Sequence, residues 1–219
     1  MDPILAMGFF MMKPLVTLCF LIICYATFGQ KVVEKQWDMA GIDRVEVVSD
    51  SIFRIDVKST SGDQIKVQAA IEGELYENLL LDGLNKDGVL SLKVGLTPFF
   101  EADNDKLAAH KVVSVSLLIQ IPRDLTLVVS SNLADLSVEG PLEHIQAALY
   151  NGDLLLTDFS GTADLRTTHG DIEVLAYGPV MGLAKSKKGE VDNRLPEQGT
   201  LPIRAKSVNG AIRLNHSHQ

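Results

Sequence analysis

The chain is poor in the residues on which chemistry is usually built. Its 219 residues include two cysteines, Cys19 and Cys24, both within the first thirty positions. The remainder therefore has no thiol, which excludes a disulfide framework, a cysteine nucleophile and a thiolate metal site. Positive charge is also in deficit: 20 Lys and Arg against 28 Asp and Glu leave a net charge of −8. A surface of that sign repels nucleic-acid backbones and anionic lipid. The densest basic run, Lys185-Ser186-Lys187-Lys188, is short, has no interleaved aromatic residue and reads as a solvated turn. No glycine-rich phosphate loop follows a strand and opens a helix, and no Ser, His and Asp grouping has a nucleophile context. Helix is scarce too, the best candidate being a short turn over Asp103 to Lys111.

The one long apolar run lies at the start. Leu15 to Phe28 follows Lys13 and precedes Gly29-Gln30, the pattern of a signal peptide over residues 1–29 with cleavage before Gln30. Met11 offers an alternative start that gives a conventional basic n-region. An uncleaved anchor is the competing reading, since Phe9 to Phe28 approaches the roughly twenty residues needed to cross a bilayer. Ile23 before Cys24 disfavours lipidation, because a lipoprotein signal needs a small residue there. About 190 residues remain, enough to bury a core without disulfides.

From residue 30 to 130 apolar and polar residues alternate, which argues for strands with one buried face. Arg44 to Val47, Phe53 to Lys58 and Ile65 to Ala69 follow this rule. Asn85-Lys86-Asp87-Gly88 supplies turn chemistry between Leu79 to Leu84 and Val89 to Val94, predicting an antiparallel hairpin. Val113, Val115, Leu117, Ile119 and Ile121 share one face of a strand that Pro122 stops.

Residues 131–215 repeat. Ala134-Asp135-Leu136, Gly152-Asp153-Leu154, Gly170-Asp171-Ile172, Gly189-Glu190-Val191 and Gly210-Ala211-Ile212 begin 18, 18, 19 and 21 residues apart. A fixed period of this size is how stacked turns show in sequence, each burying its apolar face on its neighbours. A second strand per turn follows Gly140, Gly161, Gly178 and Gly199, with a smaller inward set such as Ala163, Leu165 and Thr167. The expected fold is all-β: an antiparallel, strand-rich N-terminal region continuing into a short two-strand-per-turn β-solenoid, as one continuous domain over 31–215.

Together, Ile42-Asp43-Arg44-Val45-Glu46-Val47, the Ile121-Pro122 strand end followed by Leu125 to Ser131, and the Gly-Asp-aliphatic repeats resemble the putative adhesin family of bacterial envelope proteins. The resemblance covers nearly all of the chain after the N-terminal segment. It implies a surface or periplasmic location and an adhesive or scaffolding role, and it supplies no catalytic residue. Ala134 departs from the pattern, which expects glycine.

The sharpest candidate site is the acidic column Asp135, Asp153, Asp171 and Glu190, since equivalent positions on stacked turns lie about 4.8 Å apart. A bound calcium ion could relieve their repulsion; the favoured reading is that each carboxylate accepts backbone hydrogen bonds at its own corner. Glu101, Asp103 and Asp105 alternate like a calcium loop but lack its glycine and final glutamate. Phe99 and Phe100 stand in an apparent connection, as core packing or as a partner contact. His169 fills the slot held by Asn151 and Asn209 in sister turns, His144 reads as isolated on a polar face, and His216 and His218 belong to the tail.

These readings lead to an exported, non-enzymatic protein with no cofactor, whose partner is an unknown surface ligand, protein or glycan, and not nucleic acid. The alternative is a carbohydrate-binding or carbohydrate-active β-helix protein, disfavoured as an enzyme because the turns are short. An end-to-end assembly through an uncovered last strand at Ile212 to Leu214 is a third possibility.

Overall fold

The computed structural model describes residues 31–48, 52–72, 79–96 and 114–217. The signal segment, Phe99 and Phe100, the stretch around Asp103 to Lys111 and His218 fall outside them. Among the described residues there is no helix, and the strands are β1 (Lys31–Asp38), β2 (Arg44–Val48), β3 (Ile52–Thr60), β4 (Gln64–Glu72), β5 (Leu79–Lys86), β6 (Val89–Leu96), β7 (Ser114–Pro122), β8 (Thr126–Ser131), β9 (Asp135–Glu139), β10 (His144–Leu149), β11 (Leu154–Phe159), β12 (Thr162–Thr167), β13 (Ile172–Ala176), β14 (Val180–Ser186), β15 (Val191–Asn193), β16 (Leu201–Ser207) and β17 (Ile212–His216).

They form two mixed sheets, neither closed into a barrel. A nine-stranded sheet, here sheet A, runs β1-β4-β7-β3-β9-β11-β13-β17-β15, and an eight-stranded sheet B runs β14-β16-β12-β10-β8-β2-β6-β5. From β8 onward successive strands alternate between the sheets, and each pairs in parallel with its equivalents on neighbouring turns. The 18-residue spacing is visible in the register, with Leu154 beside Leu136 and Ile172 beside Leu154.

The expected solenoid, stacked turn upon turn in chain order, is not what the sheet order gives. The β16–β17 turn lies between β12–β13 and β14–β15, so the last two turns have exchanged places. Ile212 and Leu214 are consequently interior and fully buried rather than an uncovered end. The end is formed instead by β14 and the three-residue β15, and the chain after β15 folds back on it. Gly182 of β14 donates to the Pro196 carbonyl, Asn193 Nδ2 donates to the Gly182 carbonyl, and Leu195 is buried. An edge strand with its polar groups engaged in this way is a poor template for another chain.

The N-terminal region is antiparallel only in part. β1, β4 and β7 pair antiparallel, as do β5 and β6 across the two-residue turn Asp87-Gly88, both with positive φ (53° and 81°). That is the turn whose twist matches a hairpin. β2 and β3, however, behave as another turn of the repeat: β2 pairs in parallel with β8, and β3 with β9. They cover the first repeat, where Ala134 stands in place of glycine.

The core lies between the sheets as a single cluster. Sheet A contributes the aliphatic positions of each repeat, Leu136 and Val138, Leu154 and Leu156, Ile172 and Val174, Ile212 and Leu214, all buried. On sheet B the inward rows mix large and small residues across neighbouring strands. Ile145, Ala163, Ile203 and Gly182 share one row, and Ala147, Leu165, Ala205 and Ala184 the next. The small positions leave room for the larger side chains of the facing sheet. Each buried Leu or Ile contributes roughly 1.5 to 3 kcal/mol, which explains how the ladder holds without disulfides.

Candidate functional site

The repeated corner between sheet B and sheet A is the feature the sequence singled out, and its chemistry turns inward on the backbone. In stacking order its residues are Ala134, Gly152, Gly170, Gly210 and Gly189. A Cβ added at Gly152 would overlap the carbonyl of Ala134, one at Gly170 that of Gly152, one at Gly210 that of Gly170, and one at Gly189 that of Gly210. Glycine is required because each corner rests on the previous backbone. Ala134 opens the column in the repeat region, and its side chain is buried.

The carboxylates next to these glycines join one turn to the next. Asp135 Oδ1 accepts the N–H of Asp153 at 2.9 Å, Asp153 Oδ1 that of Asp171 at 2.8 Å, and Asp171 Oδ1 that of Ala211 at 2.7 Å. Each acid therefore bonds the following turn, not its own corner as the sequence reading had it. Because the last two turns are exchanged, the column runs Asp135, Asp153, Asp171, Ala211, Glu190, and Glu190 is separated from the other acids. Arg213 lies 4.0 Å from Asp171. Among the described residues no group of three or more His, Cys, Asp or Glu side chains is placed to hold a metal ion.

Hydroxyls close the Ala134, Gly170, Gly210 and Gly189 corners from within, and the buried Leu149 holds the matching position before Gly152. Ser131, Thr167 and Ser207 are buried polar residues. Ser131 Oγ accepts the N–H of Ala134, and Ser207 Oγ that of Gly210. Thr167 donates to the Gly170 carbonyl at 2.6 Å, and Ser186 to that of Gly210 at 2.8 Å. Buried hydroxyls of this kind stabilise only when satisfied, and here they are. Thr167, Ser186 and Ser207 each stand three residues before a corner glycine, and Ser131 three before Ala134; that spacing is the signal in the sequence for the capping role.

The histidines divide. His169 does occupy the slot shared with Asn209, whose Nδ2 lies 3.0 Å from its Nδ1, and its ring meets Tyr150 edge-on at 5.3 Å between centroids. His144 is not isolated: Nδ1 lies 2.7 Å from Thr162 Oγ1, and Nε2 lies 3.9 Å from Asp164. The Thr162 hydroxyl is itself 3.1 Å from the Glu143 carbonyl, the acceptor for its proton, so the group does not form an activated nucleophile. His216 Nδ1 faces the Ser217 carbonyl.

A shallow groove of about 500 Å³ lies at the opposite corners, among Arg123, Asp124, Leu142, Glu143, Ser160 and Leu201. It is open to solvent, and its charged lining is Arg123, Asp124 and Glu143. The displaced carboxyl titrations lie elsewhere. Hydrogen bonds from Gln36 and Gln68 hold the Glu34 carboxyl below its ordinary range. The Lys35 ammonium, then the Gly83 N–H, does the same for Asp82. The second pair ties β1 of sheet A to β5 of sheet B on the surface.

No family model matches the sequence, and no curated protein matches it. Among solved structures, the chain is similar to a "putative cell adhesion protein" from Clostridium sporogenes, at 10% identity over 85% of this chain and 99% of that one, with a TM-score of 0.60. It is also matched to a "putative adhesin" from Bacteroides fragilis, at 12% identity over 85% and 97% of the two chains, with a TM-score of 0.36. The first likeness is one of fold, extending over almost the whole of the solved chain.

Proposed function

We propose that this chain is an exported, non-enzymatic surface module working in adhesion or envelope scaffolding, built as a solenoid-like ladder with one turn inserted out of order. The observation that carries this reading is the engagement of the repeated corner: Asp135, Asp153 and Asp171 each give one carboxylate oxygen, and Thr167 its hydroxyl, to the ladder's own backbone, and the described residues present the outer faces of two open sheets. A rigid platform of that kind suits binding better than turnover, which needs converging acid and base groups around a cleft. The fold likeness to a "putative cell adhesion protein" supports the same reading, as does the apolar segment that opens the chain.

The test is fractionation of cells making the protein, with mass determination of the N-terminus, followed by comparison of surface attachment with and without the gene. The expected result is envelope or extracellular material beginning at Gln30 and weaker attachment in its absence. Recovery in the cytosol with residues 1–29 intact would overturn the export reading.

A further inference from the structure

The exchange of the last two turns has an electrostatic result on the outer face of sheet B. Arg166 of β12 is in register with Lys206 of β16, and Lys206 with Lys185 of β14. All three are exposed. They therefore stand in a line across three strands, about 4.8 Å apart. Lys187 and Lys188 continue it into the adjoining corner, where their N–H groups bond the Ser207 and Val208 carbonyls. Arg204 lies one pleat away, 3.6 Å from Asp164, the single carboxylate on the outer face of these three strands. Among the described residues no ion pair neutralises Arg166, Lys185, Lys187, Lys188 or Lys206. The run at Lys185 to Lys188, a solvated turn when read along the chain, is one end of a six-cation strip on a protein whose net charge is −8.

We propose that this strip is a docking surface for a linear acidic polysaccharide, one bearing a carboxylate or sulfate on successive sugars. The proposal rests on the reading of the chain as a surface module and names its partner class. Like charges held this close repel unless an outside anion neutralises them. A straight row on an open pleated surface, with no enclosing pocket, suits an extended polymer over a single small anion. Single-stranded nucleic acid is bound on successive aromatic rings, and the outer faces of β12, β16 and β14 have none; the exposed rings at the adjoining corner are Tyr150 and His169, which pack edge-on against each other. Stable anchoring at a bilayer adds an inserted apolar face to the attraction between cations and anionic lipid, and among the described residues the large apolar residue exposed beside the row is Leu183 alone.

The experiment measures equilibrium binding of the purified protein to polygalacturonate, with neutral dextran, phosphatidylglycerol vesicles and oligothymidine as comparison probes. Polygalacturonate is expected to bind with an affinity that falls steeply with salt. The triple variant Arg166→Ala, Lys185→Ala, Lys206→Ala is expected to weaken it about tenfold or more, with an unchanged melting temperature. Removing three cations elsewhere, by Lys58→Gln, Lys66→Gln and Lys86→Gln, is expected to leave affinity within about twofold, since exposed charges beyond a Debye length are screened. Absence of polygalacturonate binding at low salt, equal losses in both triple variants, or tighter binding of the vesicles or the oligonucleotide would each overturn the proposal. Failure here with the protein still found at the cell surface rejects the strip alone; binding by a protein retained in the cytosol rejects the surface reading instead.

Discussion

The turns from β8 to β13 and those from β14 to β17 are built from the same repeat yet obey different stacking rules. In the first set each turn lies on the one before it in the chain, and the acid of each corner bonds the next. In the second the later turn has entered between two earlier ones, and alanine takes the acid's place at Ala211. The comparison teaches that the repeat specifies how a turn stacks and leaves open which turn it stacks on. The spacing from Gly189 to Gly210 is 21 residues against 18 within the ordered part, and the excess falls in the irregular stretch from Arg194 to Thr200 that spans the exchange.

Substitutions at matched positions sharpen this contrast. The largest effect is expected from Ile212→Asp set beside Ile172→Asp. Both residues are fully buried, and an unpaired carboxylate there costs several kcal/mol, enough to abolish a cooperative thermal transition in either variant. An ordinary melt for Ile212→Asp alone would place β17 at an end of the ladder and undo the exchange. Next come Gly170→Ala and Gly210→Ala, where the methyl meets a backbone carbonyl with no room to yield. Each should lose about 2 to 4 kcal/mol in denaturant unfolding, against a few tenths for Gly62→Ala, where the nearest atom is Thr60 Oγ1 at 3.9 Å. The smallest contrast is Asp171→Ala against Glu190→Ala. The first breaks an exposed charge-assisted bond to the inserted turn and should cost about 1 kcal/mol, the second almost nothing. Equal losses would mean that Glu190 belongs to the column after all.

Most of the architecture was legible because β structure writes itself locally. Alternation marked the inward faces of β2, β3, β4 and β7, the Asp87-Gly88 turn marked the β5–β6 hairpin, and the corner glycines marked the repeat. What stayed hidden depended on which strands become neighbours. Nothing along the chain brings Arg166, Lys206 and Lys185 together until β16 enters between β12 and β14. Nor does alternation reveal that β2 and β3 pair in parallel with β8 and β9, since a strand's buried face looks the same under either direction. Of the four acids expected in one column, Asp135, Asp153 and Asp171 stand at successive corners and Glu190 does not adjoin them, and the bonds cross from turn to turn, which only the register discloses.

The inserted turn also bears on how the molecule reaches its final state. β14 has β16 as its partner in sheet B, and β15 has β17 in sheet A, so both remain without a neighbour until the last strands arrive. Any chain that stops before Leu201 thus exposes raw sheet edges on either side of a gap. Completion from the C-terminal side makes β16 and β17 a keystone: cooperative assembly waits on contacts distant in sequence, the kind that folds slowly, and a truncated or nicked copy is left open to pairing with other chains.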